Sequence, residues 1–490
     1  MSHPGHSSQP LCVNCQTKRQ HLQKQPILSF EQEAVHFILL RGSSSWLTCE
    51  DSRGARVLRP CSFFLISPQS FLDILPAMMR TINCSNTLSV DIRVKKPPNA
   101  NAIQNYVSSF ATGEKIEGVV SIVSQNDLSF DNLYISFIGE QSTDIPSSIP
   151  DKAHRQFLKL EQPIDESAIP SSKVFKNGRR YEIPFNFEVT DYLPASSCRH
   201  SANPLIKAAH LHPPPSCGDA SISGFGGKLR DDFAPSGCNV NYSIYFKLER
   251  PSITTGLQET IMAKRLKVRV KPAVGDVPLP DFPLGSLADE YSLHHEELIH
   301  SNFPKRVIGH LAMTLEQPEC FYHPLRDPIR LISKAIRIFL VYRPSNPADS
   351  KPPDLKSLRA QIIATTIYTT NIDDTHPPSR KKDFLNRPIN FRDAELPLSI
   401  PSLPRLRWTQ DEMGSYTATL LVPVTLPKDK SFIPTFHSCL ISRVYSLAFQ
   451  LSAQGTSSPF RLRAAMQIAA ERDPSALPSY NASLGVIDTA

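Results

Sequence analysis

Cys198, His200, His210, His212 and Cys217 are five side chains with metal-ligating chemistry in one short stretch. Thiolate and imidazole are the donors that a tetrahedral Zn²⁺ takes. Their spacing here is Cys-x-His and His-x-His, whereas paired zinc ligands are usually separated by roughly two to four residues. We therefore place them on a loop surface or against strand ends, assign no metal, and keep a metal site as the alternative. Cys12-x-x-Cys15 follows His3 and His6, but no second Cys pair follows at finger spacing, so it too is assigned no metal. Asp231-Asp232 is a pair of carboxylates, yet adjacency in sequence does not set two carboxyls across one substrate, and a solvated loop is expected. Ser223-Gly224-Phe225-Gly226-Gly227 follows no strand-to-helix pattern and reads as a flexible loop rather than a phosphate cradle. No P-loop, dinucleotide fingerprint, Gly-x-Ser-x-Gly or His-Glu-x-x-His occurs. The expectation is a protein with no catalytic residue and no cofactor.

The elements that carry these residues are strands. Pro is abundant (44 of 490) and Gly is scarce (19), which is about 9% and 4% against usual shares near 5% and 7%. Pro lacks the amide donor and clashes inside a helix, so this balance disfavours long helices and suits strand edges and corners. Tyr181, Ile183, Phe185, Phe187 and Val189 alternate with polar residues and Pro184; so do Tyr242, Ile244, Phe246 and Leu248, and Leu266, Val268 and Val270. Leu311, Met313 and Leu315, then Ile336, Ile338, Leu340 and Tyr342, then Tyr445, Leu447, Phe449 and Leu451, repeat the pattern. Period-2 alternation gives each strand one buried and one wet face. The segment 133–138 is nearly continuously apolar, as in a strand buried on both faces.

The fold class expected is all-β: two tandem β-sandwiches joined by a short linker. The boundaries are a poorly ordered extension over 1–83, a first domain over 84–272 with a loop insertion at 198–237, a linker over 273–304 with a helical turn or two, a second domain over 305–470, and a flexible tail over 471–490. The polar stretches 1–80, 203–234 and 471–490 lack apolar periodicity and are expected to be poorly ordered. Met78-Met79 stands just before the strand pattern begins, so a start at Met79 fits it as well as one at Met1. The net charge of +7 is mild and scattered, which argues against a nucleic-acid partner. Ten Cys over the chain are too sparse for a disulfide framework, and no apolar segment follows a basic start, so a cytosolic chain with reduced thiols is expected.

Thr112-Gly113-Glu114-Lys115-Ile116-Glu117-Gly118 followed by Val119-Val120 resembles the early hairpin of the arrestin N-domain. Phe185-Asn186-Phe187, Leu193-Pro194 and Tyr242-Ser243-Ile244-Tyr245-Phe246 resemble the middle of that domain. Pro434-Thr435-Phe436-His437-Ser438-Cys439 and Ser442-Arg443-Val444-Tyr445-Ser446-Leu447 resemble late strands of the arrestin C-domain. The stretch with Cys198-Arg199-His200, His210-Leu211-His212-Pro213 and Asp231-Asp232 is similar to an insertion in fungal arrestin-like proteins. The resemblance implies the two-domain arrestin fold of the α-arrestins and a trafficking adaptor, cytoplasmic with transient plasma-membrane or endosomal association. Its implied partners are cytosolic segments of membrane transporters or receptors and a WW-domain HECT-type ubiquitin ligase.

Such adaptors usually carry Pro-Pro-x-Tyr, and this chain has none; the nearest match is Leu477-Pro478-Ser479-Tyr480. A WW groove takes a Pro in extended form and an aromatic anchor, so Leu477, Pro478 and Tyr480 are the candidate ligase contacts. Arg380, Lys381, Lys382, Arg387 and Arg392, set against Asp383 and Asp393, give a Pro-rich loop a net +3 and make it the candidate contact with an anionic membrane surface. Near such a surface each charge contributes about 1 kcal/mol. The alternative function is an arrestin-fold scaffold or coat-type sorting subunit with no ligase contact.

Overall fold

The computed structural model describes residues 48–50, 56–58, 87–95, 108–145, 151–199, 204–222, 230–252, 255–273, 291–323, 331–346, 351–371, 389–400, 403 and 405–471. The chain divides into two compact units, 1–77 and 78–490. In the first, β1 (Thr48–Glu50) and β2 (Arg56–Leu58) form an antiparallel ribbon. The second unit holds every other strand among the described residues.

Its first half holds β3 (Leu88–Val94), β4 (Ser109–Phe110), β5 (Lys115–Ser124), β6 (Leu128–Ser129), β7 (Asn132–Ile145), β8 (Asp151–Glu161), β9 (Val174–Phe175), β10 (Arg180–Glu188), β11 (Asn239–Pro251) and β12 (Gln258–Val270). Two larger sheets result, ordered β10-β5-β3 and β4-β12-β11-β7-β8, and β6 pairs with β9. One core joins Ile116, Val120 and Ile122 of the smaller sheet to Phe137, Tyr242, Ile244 and Phe246 of the larger. Side chains from two sheet faces meeting in one core make a β-sandwich. In β10, Tyr181, Ile183, Phe185 and Phe187 are buried and the five residues between and beside them are exposed, as the alternation demands.

The second half holds β13 (His294–His300), β14 (Val307–Leu315), β15 (Phe321–His323), β16 (Ser333–Pro344), β17 (Leu355–Thr369), β18 (Ile389–Leu398), β19 (Thr409–Gln410), β20 (Tyr416–Thr425), β21 (Phe436–His437), β22 (Ile441–Ala453), β23 (Phe460–Met466) and β24 (Ile468–Ala470). Its sheets run β13-β14-β16-β20-β19 and β18-β17-β22-β21, with β23 also on β22. Their inner faces share a core through Leu311, Ile338, Leu340 and Tyr342 on one side and Ile362, Tyr445, Leu447 and Phe449 on the other. The all-β class follows, and one α-helix, α1 (Pro204–His210), is present among the described residues. Two strand prolines lie on edge strands, Pro184 on β10 and Pro397 on β18, where a missing donor is tolerated. No helix among the described residues is long and apolar enough to cross a membrane.

Two expectations are corrected. The second sandwich begins at His294, not at 305: the polar His294-His295-Glu296-Glu297 is no helical linker but part of β13, paired with β14. An edge strand keeps one wet row and tolerates charge there, so it looks like a linker in sequence. The insertion over 203–234 is not loose in its described part. Ser216 N–H donates to the Val270 carbonyl at 2.8 Å, Cys217 bridges Val240, and Ile206, Ile222 and Phe233 are buried. These contacts offset the entropy of ordering that its composition left open.

Neighbouring residues test the sandwich register. Leu420 is 1% exposed and Leu421 is 55% exposed on β20. Leu420→Ala is expected to lower unfolding free energy by about 2–5 kcal/mol, and Leu421→Ala by no more than about 0.5 kcal/mol, read from chemical denaturation. Equal effects would mean that the assigned faces are wrong.

Candidate functional site at the junction of the two halves

The chain connection after α1 leads to a segment that crosses from the first half into the second. Asp231 bridges Lys430, Ser431 N–H donates to the Asp231 carbonyl at 2.8 Å, and Lys430 Nζ lies 3.1 Å from Asp231 Oδ2. Phe233, held at φ 61° by N–H donation to Asp231 Oδ1, enters the second core with its ring 5.4 Å from that of Phe432. The second half answers in kind: Ile433, Phe436, Leu440 and Ile441 lie in the first core. Ser438 Oγ donates to Gln141 Oε1 at 2.7 Å and Thr143 Oγ1 to the Thr369 carbonyl at 2.7 Å, all buried. Each sandwich is thus completed by residues of the other.

Charge is enclosed at this junction. Arg443 on β22 is 1% exposed. Its Nε donates to Thr366 Oγ1 at 2.9 Å and its Nη1 to the Asp232 backbone carbonyl at 2.8 Å. Burial works against its charge, and the nearby Tyr445, Cys217 and Asp232 more than offset that, so its pKa is raised. Asp232, also buried, accepts from Gly218 N–H at 2.8 Å and Ala234 N–H at 3.1 Å. Gly218 is at φ +79°, and a Cβ there would run into the Cys238 carbonyl, so only glycine presents this donor. Arg269 donates from Nη2 to Ser431 Oγ at 2.9 Å; burial pushes its pKa down to about 10, with Asp232 opposing. Alternation on β12 placed Arg269 on a wet face, and it is 3% exposed because the second half covers that face.

Lys271 extends the cluster. Lys271 is half-buried, and burial, helped by Arg269 and opposed by Glu471, pushes its pKa down to about 7. The adjacent His323 lies well below its ordinary range, first through burial and then through Lys271 and Arg269.

The structure separates the five residues that the sequence grouped. Cys198 and His210 meet, with Sγ 3.6 Å from Nδ1, and Cys439 of the second half joins them. Cys217 instead lies in the first core, where burial pushes its pKa up; His212 faces the Tyr192 ring at 4.7 Å; His200 lies outside the described residues. Burial likewise pushes Cys238 and Cys439 up to about 12. Thiols held protonated are poor nucleophiles.

The solvated-loop reading of Asp231-Asp232 holds for the first and fails for the second: Asp231 is exposed and pairs with Lys430, and Asp232 is buried. Of the basic cluster, Arg392 is exposed on β18, a strand rather than a loop, whereas Arg380, Lys381, Lys382 and Arg387 lie outside the described residues. So do Leu477, Pro478 and Tyr480, Cys12 and Cys15, and 223–227. Sequence reasoning missed Arg269, Lys271, Arg443 and Cys439 as junction residues. The one available signal was the presence of Arg443 and Cys439 within segments already singled out for their resemblance. No family model matches this chain, and no curated protein matches it.

Two outcomes follow from the junction. Arg443→Ala leaves the Asp232 carbonyl and the Thr366 hydroxyl enclosed without their donor and is expected to cost about 3–5 kcal/mol. Lys430→Ala, which removes a partly exposed pair, should cost at most about 1 kcal/mol. Both are read from equilibrium denaturation. Lys271 has a folded pKa near 7 against an ordinary value of 10.5, so between those limits the unfolded chain holds the proton that the folded chain has released. Stability therefore rises with pH from about 7 to about 10. Lys271→Met should flatten that slope and raise stability at pH 7; a slope unchanged in the variant would show that the ammonium is solvated.

Proposed function

We propose that this protein is a non-enzymatic trafficking adaptor of arrestin type, linking membrane-protein cargo to a WW-domain HECT-type ubiquitin ligase for endocytosis or sorting. The reciprocal exchange of core residues carries this reading. It makes one β platform from two sandwiches, a body suited to holding two partners at a fixed separation. The thiols driven to about 12 at the junction favour a binding role over nucleophilic chemistry. The segment resemblance to the fungal α-arrestins supplies the cargo and ligase classes, a cytoplasmic site of action and transient contact with the plasma membrane or endosomes. The basic residues from Arg380 to Arg392 would meet the anionic surface.

The ligase contact belongs to Leu477-Pro478-Ser479-Tyr480, which follows β24, the last strand among the described residues, in sequence. Pro478 fixes φ near −65° and lowers the entropy cost of the extended form. Tyr480 supplies the aromatic anchor and Leu477 the neighbouring apolar contact. One imperfect motif gains nothing from avidity, so affinity is micromolar or weaker, about −8 kcal/mol at best. The reading of a scaffold without ligase contact rests on Leu477, which stands where a WW ligand usually has Pro.

Titration of the full chain and of its tail peptide against HECT-ligase WW domains tests this reading. Tyr480→Ala should abolish binding, and Leu477→Pro should tighten it. Equal binding by wild type and Tyr480→Ala, or no binding even with Pro at 477, would replace the adaptor reading with the scaffold reading.

A further inference from the structure

The contact between α1 and the β21–β22 turn gathers three ligand atoms from both halves of the molecule. Cys198 follows a 3₁₀ turn (Ala195–Ser197), His210 ends α1, and Cys439 lies in the turn between β21 and β22. Cys198 Sγ, a His210 ring nitrogen and Cys439 Sγ all lie within 4.8 Å of one another. All three residues are buried, at 0%, 2% and 2% exposure. We propose that Cys198, His210 and Cys439 bind one structural Zn²⁺ that fastens the first half to the second.

Three observations support the assignment. The first is geometric. Zn–S and Zn–N bonds of about 2.3 and 2.0 Å at a tetrahedral angle put sulfur and nitrogen about 3.6 Å apart. Cys198 Sγ and His210 Nδ1 are separated by 3.6 Å.

The second is chemical. Two thiols and an imidazole in a dry site form a soft, nitrogen–sulfur donor set, which suits zinc and not magnesium or calcium. The Arg155 guanidinium on β8 donates to the Ser197 carbonyl beside Cys198. Binding replaces the thiol protons with the cation: two Cys–SH and one neutral imidazole take up Zn²⁺ and release two protons to solvent.

The third concerns α1. A helix of seven residues is too short to hold itself in water. A ligand at its last residue, tied to two other segments, gives it an anchor that its sequence does not. The fourth tetrahedral corner falls to a water, because the cluster among the described residues holds these three ligand atoms.

The test uses the full-length protein, purified without chelator and in reductant, with metals counted by plasma mass spectrometry. Wild type should carry about one zinc per chain, and Cys198→Ser/Cys439→Ser less than about a tenth of that. The serine variants could fail to fold, so the wild type carries an independent arm. A strong zinc chelator should lower its Tm by several degrees and expose two more thiols to a thiol reagent. Added Zn²⁺, and not Mg²⁺, should reverse both changes. A zinc-free wild type whose Tm does not move on adding Zn²⁺ would overturn the proposal. So would full zinc retention in a folded double-serine variant.

Discussion

The guanidinium of Arg443 ties the two halves of this molecule together through buried hydrogen bonds. It belongs to a central strand of the second half, is 1% exposed, and reaches the backbone of the first half at Asp232. A charge enclosed in protein costs several kcal/mol unless hydrogen bonds and nearby dipoles satisfy it. Here the satisfaction comes partly from the segment 230–238, which is in turn held by Gly218 and by the backbone pairing at Lys430. Neither half can bury its own surface correctly without the other. The exchange of Phe233 for Ile433, Phe436, Leu440 and Ile441 states the same dependence in apolar terms.

That dependence explains which parts of the molecule were legible in the sequence. Tyr242, Ile244 and Phe246, and Tyr445, Leu447 and Phe449, alternate with less apolar neighbours, and all six are buried. A half-buried strand imposes a period of two, and the sequence displays it directly. Arg269 breaks that rule on β12 because a second surface covers the face that alternation leaves wet. β13 was hidden for the opposite reason, since an edge strand with charged residues has little apolar signal to show.

The junction residues were illegible for a reason of distance. Cys198 and His210 are near each other in sequence, but Cys439 joins them only through the tertiary fold. The sequence offered Cys217 and His212 as partners, and the structure sends one into the first core and the other to an aromatic ring. Asp232 looked like one of two solvated carboxylates, because burial of a polar side chain is decided by whatever comes to cover it.

Two mutually completed sandwiches form one platform rather than two bodies on a hinge. Partners held by opposite halves would then keep one relative placement. Hydrogen exchange followed across a denaturant series tests this interdependence most directly. β5 and β11 of the first half should lose protection at the same denaturant concentration as β17 and β22 of the second, as one cooperative transition. Two well-separated transitions, one for each sandwich, would contradict the account.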